Sequence, residues 1–494
     1  MLPELPTESV AIILVVAAVT LYLWAFNGRP KGVPPGPWFY LPVIGNLVQI
    51  GANPVTSFRE MRKKYGDVFS VYMANRLVIV VNGFDNLKEA FVKNGDTFSN
   101  RPNLFFTKVI TYDKGITGSS GEVWKEQRKF ALQTLRNLGM GKNILQSKIQ
   151  EESTAFIEEL TKREGKATDL RNLIGSSVSN IISSIVFGKR FEYKDPMFIK
   201  FVKIVEENVL IPPVLHFFPF LRFLPGDMFN IKHMMRGMEA IEHELFESSV
   251  REHTVHYDEN NTDDFISAYI KEMKHKERLG DTSSSINNDN LCVVIKDLFF
   301  AGTETTATAL RWLLLYFLHF PEIQNKCFAE IQDNVGCDKT IYMEDKTKLP
   351  YLEATIMEIL RHADIGPLSV MRTVTSETML KGYRIPSNAL VIPNIDSVLS
   401  DSRIWGDPEN FRPDRFLDEN GHITKPEEYI PFLFGPRNCL GESLARMELF
   451  LFLASMLQKF EFVKGEGAVL PTLDGVLGFT HEPEPYLIRA TLRI

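Results

Sequence analysis

The chain begins with a strongly apolar stretch. Ser9 to Phe26 carries no charged residue and has about the length needed to cross a bilayer. Glu4 and Glu8 precede this run, whereas Arg29 and Lys31 follow it. A cleaved signal peptide starts with a basic segment, which is absent here, so the pattern favours a retained anchor over a signal peptide. The positive charges after the run predict that the rest of the protein faces the cytosol.

A proline-rich stretch follows the apolar run and predicts a stiff, extended spacer. Its prolines are Pro30, Pro34, Pro35, Pro37 and Pro42. The rest of the chain contains no comparable linker. We therefore predict an N-terminal anchor at residues 1–28, a hinge at 29–45 and a single large domain at 46–494.

The body of the chain alternates between predicted helices and short strands. Residues 68–81 predict two strands around the pair Ala74-Asn75. Residues 143–161 and 170–187 predict helices. Leu291 to Phe320 predicts a long buried helix, because its sequence is mainly apolar and Pro321 ends it.

A polar cluster interrupts that long apolar helix at Ala301-Gly302-Thr303-Glu304-Thr305-Thr306. Gly302 costs up to ~1 kcal/mol relative to alanine in a helix. The carboxylate of Glu304 is costly to bury without a partner. The hydroxyl of Thr305 can bond the carbonyl of Ala301 four residues earlier and open a local bend. The cluster indicates a functional site, and the alternative is a kink required for packing.

An apolar segment broken by prolines lies at residues 211–226. Its sequence fits a membrane contact, a roof over a pocket or an ordinary part of the core.

Composition narrows the classes of function. The 494 residues are 44% hydrophobic, enough for a large core, and the net charge of −7 argues against a nucleic-acid partner. The chain has four cysteines, which lack the spacing of a zinc site and are too few for a disulfide scaffold. A reducing compartment fits this composition.

One of these cysteines, Cys439, lies in a glycine-bent loop before a predicted helix at 442–460. A helix N-terminus favours the thiolate, the form of cysteine that binds metal, so we expect a lowered thiol pKa. Gly435 and Gly441 permit sharp bends and a close approach to a flat ligand. Arg437 is placed to meet an anion near the sulfur. The alternative is a buried structural cysteine.

The loop resembles the haem-thiolate signature F-x-x-G-x-R-x-C-x-G of the cytochrome P-450 family, in its microsomal drug- and lipid-oxidising branch. The five fixed positions are Phe432, Gly435, Arg437, Cys439 and Gly441. The cluster at 301–306 is similar to the family's A-G-x-E-T-T motif. The resemblance implies a mostly α fold with smaller β-sheets (α+β), behind an N-terminal transmembrane helix.

The family likeness also implies roles for individual residues. Cys439 is expected to bind the iron of haem b, and Glu304 with Thr305 is expected to supply protons. The remaining residues expected to contact haem are Arg101, Trp124, Arg128, Ala301, Arg372, Phe432, Gly435, Arg437 and Gly441. Glu358 and Arg361 form an E-x-x-R pattern, expected to join Arg415 in a buried structural network.

A monooxygenase of this kind inserts one oxygen atom from O2 into a lipophilic molecule such as a xenobiotic, fatty acid or steroid. Nothing in the chain resembles a flavin or nicotinamide domain, so the resemblance implies NADPH oxidation by a separate cytochrome P-450 reductase. Cytochrome b5 is a second candidate donor. Five basic residues are candidates to steer an acidic partner, or form a solvated helix face: Lys125, Arg128, Lys129, Arg136 and Lys142. The implied location is the endoplasmic reticulum membrane.

Two other functions compete with this reading. A haem-thiolate isomerase or dehydratase acts on a peroxide without a reductase, and such relatives tend to lack the acid–alcohol pair seen at Glu304-Thr305. A haem sensor or carrier has no need of that pair. Consumption of NADPH with added reductase separates the three.

Overall fold

The computed structural model describes residues 7–25, 29–41, 43–140, 143–208, 214–227, 229–387 and 389–493. Parts of the predicted anchor and hinge, Lys142 and residues 209–213 lie outside these ranges. The predicted anchor coincides with the first helix, Thr7–Ala25. Among the described residues, no helix combines the length and the apolarity required to cross a membrane.

Most of the regular structure of the chain is α-helical. They are α1 Thr7–Ala25, α2 Leu47–Ile50, α3 Pro54–Tyr65, α4 Phe84–Lys88, α5 Gly121–Asn137, α6 Asn143–Thr161, α7 Arg171–Val186, α8 Pro196–Asn208, α9 Val214–Phe217, α10 Ile231–Ile241, α11 Ser248–Val255, α12 Phe265–Leu279, α13 Asn288–His319, α14 Pro321–Asn334, α15 Pro350–His362, α16 Asp396–Leu399, α17 Ser402–Trp405 and α18 Glu442–Lys459. The helices predicted at 143–161 and 170–187 are confirmed as α6 and α7.

The strands are short and few beside these helices. They are β1 Val68–Met73, β2 Arg76–Val81, β3 Arg372–Thr373, β4 Thr378–Leu380, β5 Tyr383–Ile385, β6 Leu390–Pro393, β7 Phe460–Lys464, β8 Val476–Leu477, β9 His481–Glu482 and β10 Ile488–Leu492. This content confirms the predicted helix-rich class with small sheets.

The chain divides into two compact units, and the first comprises Met1–Pro102 and Leu368–Ser397. Its sheet has the order β1-β2-β6-β3, with β2 and β6 parallel and the outer pairs antiparallel. The predicted strand pair at 68–81 is confirmed, and Ala74 takes a φ of 55° in the turn between β1 and β2. The β2 side chains from Val78 to Val81 are fully buried, so this sheet carries the core of the unit.

The second unit comprises Asn103–Pro367 and Val398–Ile494, and α13 is its longest helix. The side chain of Asn287 caps α13 by accepting from the N–H of Asn290, and Pro321 begins the next helix. Most of α13 is buried, and it packs against α7. The helix that carries the polar cluster therefore runs through the core of this unit.

Candidate active site

The cysteine loop has the bent geometry that its glycines predicted. Gly435 has a φ of 82°, a conformation that other residues adopt only with strain. The N–H of Asn438 donates to the Gly435 carbonyl at 3.1 Å, and the N–H of Cys439 donates to the Phe432 carbonyl at 3.1 Å. Helix α18 begins three residues after Cys439, and the cysteine side chain is exposed.

The direction of the thiol pKa shift is opposite to the prediction. Burial raises the pKa of Cys439, and this effect outweighs the backbone N–H groups of Gly441 and Glu442, which lower it. The positive charge of Arg128 also lowers the pKa, less than the Gly441 N–H does, while the negative charge of Glu442 raises it. Protein atoms crowd most of the thiol while one side remains open. The helix N-terminus is therefore present, but it does not by itself produce a thiolate.

Helix α5 contacts the cysteine loop through an arginine. The Nη2 atom of Arg128 donates to the backbone oxygen of Asn438 at 2.8 Å and to its side-chain oxygen at 2.7 Å. These bonds hold Arg128 against the residue that precedes Cys439.

Trp124 lies one turn before Arg128 on the same helix and is 4% exposed. The guanidinium of Arg437 stacks over the Trp124 ring at 3.9 Å and donates to the carbonyls of Ile116 and Ser119 at 2.9 and 2.6 Å. The indole N–H of Trp124 is buried and has no hydrogen-bond partner among the described residues. A buried donor without a partner is rare, so this N–H is available to a ligand.

Two further residues predicted to contact haem, Arg101 and Arg372, lie in the first compact unit. Arg101 Nη1 donates to the carbonyls of Val370 and Met371, both at 3.0 Å. Arg372 is 1% exposed, and its guanidinium lies 4.4 Å from the centre of the Phe91 ring. Their contact with haem remains a prediction.

The polar cluster contains the most accessible position in the central turns of α13. Ala301 is exposed and Thr305 is half-buried, whereas Thr303, Glu304 and residues 306–317 are buried. The Thr305 hydroxyl donates to the Ala301 carbonyl at 2.7 Å, as predicted. Gly302 also has a packing role, because an added Cβ would lie 2.4 Å from Ile182 Cδ1 on α7. The functional and packing readings of this cluster are therefore compatible.

Glu304 is buried and partnered, as the cost of burying a carboxyl group requires. It is 6% exposed, and its Oε1 accepts from Thr308 Oγ1 at 3.1 Å and lies 3.4 Å from Thr480 Oγ1. Burial, with a smaller contribution from the nearby Glu482, raises the pKa of Glu304 to about 7 against the opposing Thr308 hydrogen bond. Thr308 could have been found from its position one turn after Glu304, whereas nothing local indicates Thr480 or Glu482.

A buried ionic network lies outside this cluster. Arg361 donates to the carboxylate of Glu358 through Nε at 2.7 Å and Nη2 at 2.9 Å, and Arg415 Nε donates to it at 2.9 Å. The carboxylate has no exposed surface. The two guanidinium groups also donate to the backbone carbonyls of Leu399, Pro408, Trp405, Asp407 and Asn410. The predicted E-x-x-R network is confirmed.

These residues fit a haem. The open thiol of Cys439 is a suitable iron ligand, and the unpartnered N–H of Trp124 is a donor for a propionate. A methyl group added at Gly441 would meet no protein atom within 4 Å, so there is space beside the thiol. The donor set of one sulfur and buried nitrogen donors matches a flat, anionic, iron-containing ligand.

Comparison with known proteins agrees with this chemistry. The sequence model of the family described as Cytochrome P450 matches residues 34–490. Cytochrome P450 2B4 of Oryctolagus cuniculus is 39% identical over 459 residues, covering 91% of this chain and 92% of that protein. Cytochrome P450 2J3 of Rattus norvegicus is 40% identical over 462 residues, covering 91% and 90%. Cytochrome P450 2C8 of Homo sapiens is 38% identical over 459 residues, covering 91% and 92%.

Both the extent of these matches and the geometry around Cys439 lead to one conclusion. The chain belongs to the cytochrome P450 family, the haem-containing monooxygenases.

Proposed function

We propose that this protein inserts one oxygen atom into a lipophilic small molecule, using electrons from NADPH delivered by a separate reductase. The observation that carries the proposal is the polar cluster on α13. There the buried, protonatable carboxyl group of Glu304 and the half-buried hydroxyl of Thr305 belong to successive residues of the helix. An enzyme that cleaves dioxygen needs protons at a defined place, and this pair supplies them within an otherwise apolar helix.

Cys439, Trp124, Arg128 and Arg437 are the residues of the second unit that would hold haem. Arg101 and Arg372 are proposed as haem contacts from the family resemblance alone. Haem with a thiolate ligand supplies dioxygen binding and favours O–O cleavage. The neighbouring Arg128 charge and the N–H groups of Gly441 and Glu442 favour the thiolate once the iron is bound, because each lowers the thiol pKa.

Glu304 and Thr305 divide the proton chemistry between them. With a pKa of about 7, Glu304 exists in both protonation states near neutral pH and can give and regain a proton. The Thr305 hydroxyl donates to Ala301 O, which leaves its oxygen able to accept a hydrogen bond. To pass its own proton on, the hydroxyl must rotate away from that carbonyl while it accepts a new proton. Thr305 is therefore the residue proposed to present the proton, and Glu304 the residue proposed to replace it.

The reductase is proposed to approach the basic residues of α5. Three of them are exposed: Lys125, Lys129 and Arg136. Arg128, in contrast, donates a hydrogen bond to Asn438. Exposed charges of this kind steer an acidic partner and set its rate of association more than its affinity. Cytochrome b5 is proposed as a second partner for the same surface.

We place the protein at the endoplasmic reticulum membrane, with the anchor at residues 1–28, the hinge at 29–45 and a cytosolic catalytic domain at 46–494. The uncharged run Ser9–Phe26 supports the anchor. Phe220 and Phe223 support a second contact, because they are 61% and 72% exposed in the segment broken by prolines. Large exposed aromatic side chains that lie close together mark a membrane or protein contact.

The proposed function is tested with purified protein, added reductase and panels of fatty acids, steroids and aromatic xenobiotics. We expect substrate-dependent NADPH consumption with a hydroxylated product. Product formation from a peroxide without reductase or NADPH, and none with them, would identify an isomerase or dehydratase instead.

Thr305→Ala should bind haem and substrate normally but lose coupling between NADPH and product. Alanine is a better helix former than threonine, so stability should not fall. We expect the ratio of product to NADPH consumed to drop by about tenfold, with hydrogen peroxide released instead. Glu304→Gln should show a larger solvent isotope effect, because an amide cannot cycle a proton.

Thr154→Ala is the matched control for this variant. Thr154 is exposed on α6, and its hydroxyl makes the same bond to a carbonyl four residues earlier, Gln150 O, at 2.8 Å. Its coupling ratio should equal that of the parent. A Thr305→Ala protein with an unchanged ratio and reduced stability would show that Thr305 serves packing only.

Deleting residues 1–26 should move most of the protein from the membrane to the soluble fraction while the haem spectrum is retained, since the haem residues lie elsewhere. Phe220→Ser with Phe223→Ser in the deleted form should remove the remaining membrane binding. Val255→Ser, at a residue 78% exposed on α11, serves as the control. Identical partitioning of the deleted and full-length proteins, measured by sedimentation with vesicles, would disprove the anchor.

A further inference from the structure

Glu482 is a second carboxyl group near the polar cluster, and two arginines hold it. Its Oε2 accepts from Arg171 Nη2 at 2.6 Å and from Arg311 Nη1 at 3.1 Å. The side chain of Arg311 is 6% exposed, that of Glu482 13% and that of Arg171 32%. Two cations within hydrogen-bond distance favour the ionised form of a carboxyl group, so Glu482 is a carboxylate.

One hydroxyl group connects this carboxylate to Glu304. Thr480 Oγ1 lies 3.4 Å from Glu304 Oε1 and 3.5 Å from Glu482 Oε1. A hydroxyl has one proton and can donate to only one of the two oxygens at a time. Two carboxylates that share one donor repel each other when both are ionised, and one of them retains a proton. Because the arginines contact Glu482, the proton belongs to Glu304.

We propose that Glu482 is a positioning residue that keeps the proton on Glu304. Arg171 and Arg311 hold Glu482 in its ionised form, and the negative charge of Glu482 then opposes ionisation of Glu304. The proposal rests on the monooxygenase function above and deepens it. In this arrangement Glu304 acts as an acid that starts the proton transfer in its neutral form, rather than as a carboxylate that waits for a proton.

The proton balance is simple. Glu304 gives its carboxyl proton toward Thr305 and becomes a carboxylate. Two carboxylates then face Thr480, a state that the repulsion from Glu482 disfavours, so Glu304 takes one proton back from water. One proton enters from solvent for each proton delivered, and no other reactant is consumed.

Solvent reaches the outer end of this chain of residues. Arg171 and Arg311 both line a cavity of about 10 Å³, room for about one water molecule. Arg171 also lines an open groove of about 480 Å³ beside α6 and α8. The contacts from Glu304 through Thr480 and Glu482 to Arg171 therefore connect the buried part of α13 with the protein surface.

The charged groups around Glu304 agree with the assignment. Glu482 faces it from β9 and raises its pKa, while Arg311 on α13 lowers it, and burial is the largest cause of the rise to about 7. Arg171 on α7 acts through its contact with Glu482. On α18, burial also raises the pKa of Glu448 to about 8, and neither of its carboxyl oxygens has a hydrogen-bond partner among the described residues. Glu448 is thus a separate carboxyl group that an experiment must distinguish.

The test is an infrared pH titration of the protonated carboxyl band in full-length, haem-loaded ferric protein, which requires no turnover. The Glu304 band is assigned by its absence in Glu304→Gln and separated from Glu448 by Glu448→Gln. Glu482→Gln removes the negative charge that opposes ionisation of Glu304 and leaves the two arginines unneutralised. The titration midpoint of Glu304 should therefore fall by about one pH unit or more. In Arg171→Gln the pair loses a cation, and the midpoint should rise.

Glu484→Gln is the matched control, since Glu484 is exposed and lies only two residues from Glu482. Its midpoint should equal that of the parent. A role confined to stability would lower the unfolding temperature of both variants without moving the midpoint in opposite directions. If Glu482→Gln does not fold, the midpoint of Arg171→Gln carries the test alone. An unchanged Glu304 midpoint in the variants that fold, or no titrating band assigned to Glu304, overturns the proposal.

Failure of this proposal is distinguishable from failure of the proposed function. Loss of coupling in Thr305→Ala with an unchanged Glu304 midpoint in Glu482→Gln would retain the monooxygenase function and refute the role of Glu482. A second readout is the pH profile of coupling. In Glu482→Gln, the decline in the product-to-NADPH ratio with rising pH should begin at lower pH than in the parent, because Glu304 loses its proton earlier.

Discussion

Cys439→Ser is expected to abolish the red-shifted Soret band that a thiolate-ligated haem shows in its ferrous carbonyl complex. The loop presents one open thiol, and a serine hydroxyl is a much weaker electron donor to iron than a thiolate. The bonds that shape the loop, from the N–H groups of Cys439 and Asn438, involve only backbone atoms and should persist. The protein is therefore expected to fold while losing the spectrum and the monooxygenase activity, as measured by difference spectroscopy and product formation.

The other cysteines provide matched controls. Cys327 is buried with its thiol 3.4 Å from Thr355 Oγ1, and Cys292 and Cys337 are half-buried. Burial raises the pKa of Cys327 to about 12 and that of Cys292 to about 11, so neither tends toward a thiolate. Serine at any of the three should leave the band unchanged. A normal band in Cys439→Ser would remove Cys439 as the iron ligand.

Glu358→Ala is expected to yield little haem-loaded protein. The side chains of Arg361 and Arg415 are 1% and 4% exposed. Removing the Glu358 carboxylate leaves Arg361 buried without an anionic partner, and leaves Arg415 only the partly exposed Asp407 at 3.2 Å. The free energy of unfolding should fall by an amount on the order of 3–5 kcal/mol. That is a large share of the ~5–15 kcal/mol by which native proteins are stable. Haem content per mole of protein and the urea midpoint of unfolding measure the effect.

Glu409→Ala is a suitable control for the Glu358 substitution. Its side chain is exposed, and only its backbone carbonyl makes the bond to His362 Nε2 at 3.0 Å. The change should alter stability by less than ~1 kcal/mol, as is usual at exposed positions. If Glu358→Ala matched Glu409→Ala in haem content and in its urea midpoint, the network would stabilise the protein no more than a solvent-exposed ion pair does.

Features encoded within a few residues were predictable from the chain. The bend at Gly435, the start of α18 and the bond from Thr305 to Ala301 all depend on neighbours along the sequence. Helix geometry places residue i beside i+4, so a hydroxyl and a carbonyl at that spacing meet wherever the helix forms. The long helix α13 was likewise visible, because its apolar run and the following proline are continuous in sequence.

Quantities that depend on burial were not predictable in this way. The helix N-terminus at Cys439 favours the thiolate, but burial raises the thiol pKa, and the degree of burial is known only once the chain has folded. The cluster that contains Gly302 indicated a functional site, with a kink required for packing as the alternative. The contact of Gly302 with Ile182 also requires a small residue, and this reason exists only once α7 has packed against α13.

The clearest limit of the sequence concerns the partner of Glu304. Thr480 lies 176 positions away, and neither it nor Glu482 belongs to a local pattern that indicates proton chemistry. Sequence motifs identified Glu304 as a buried carboxyl group that needed a partner, but they did not say which residue that partner is. The partner itself depends on how β9 and α7 pack around α13, because the interaction between two charges is determined by their distance through space and by the medium between them, not by their separation along the chain.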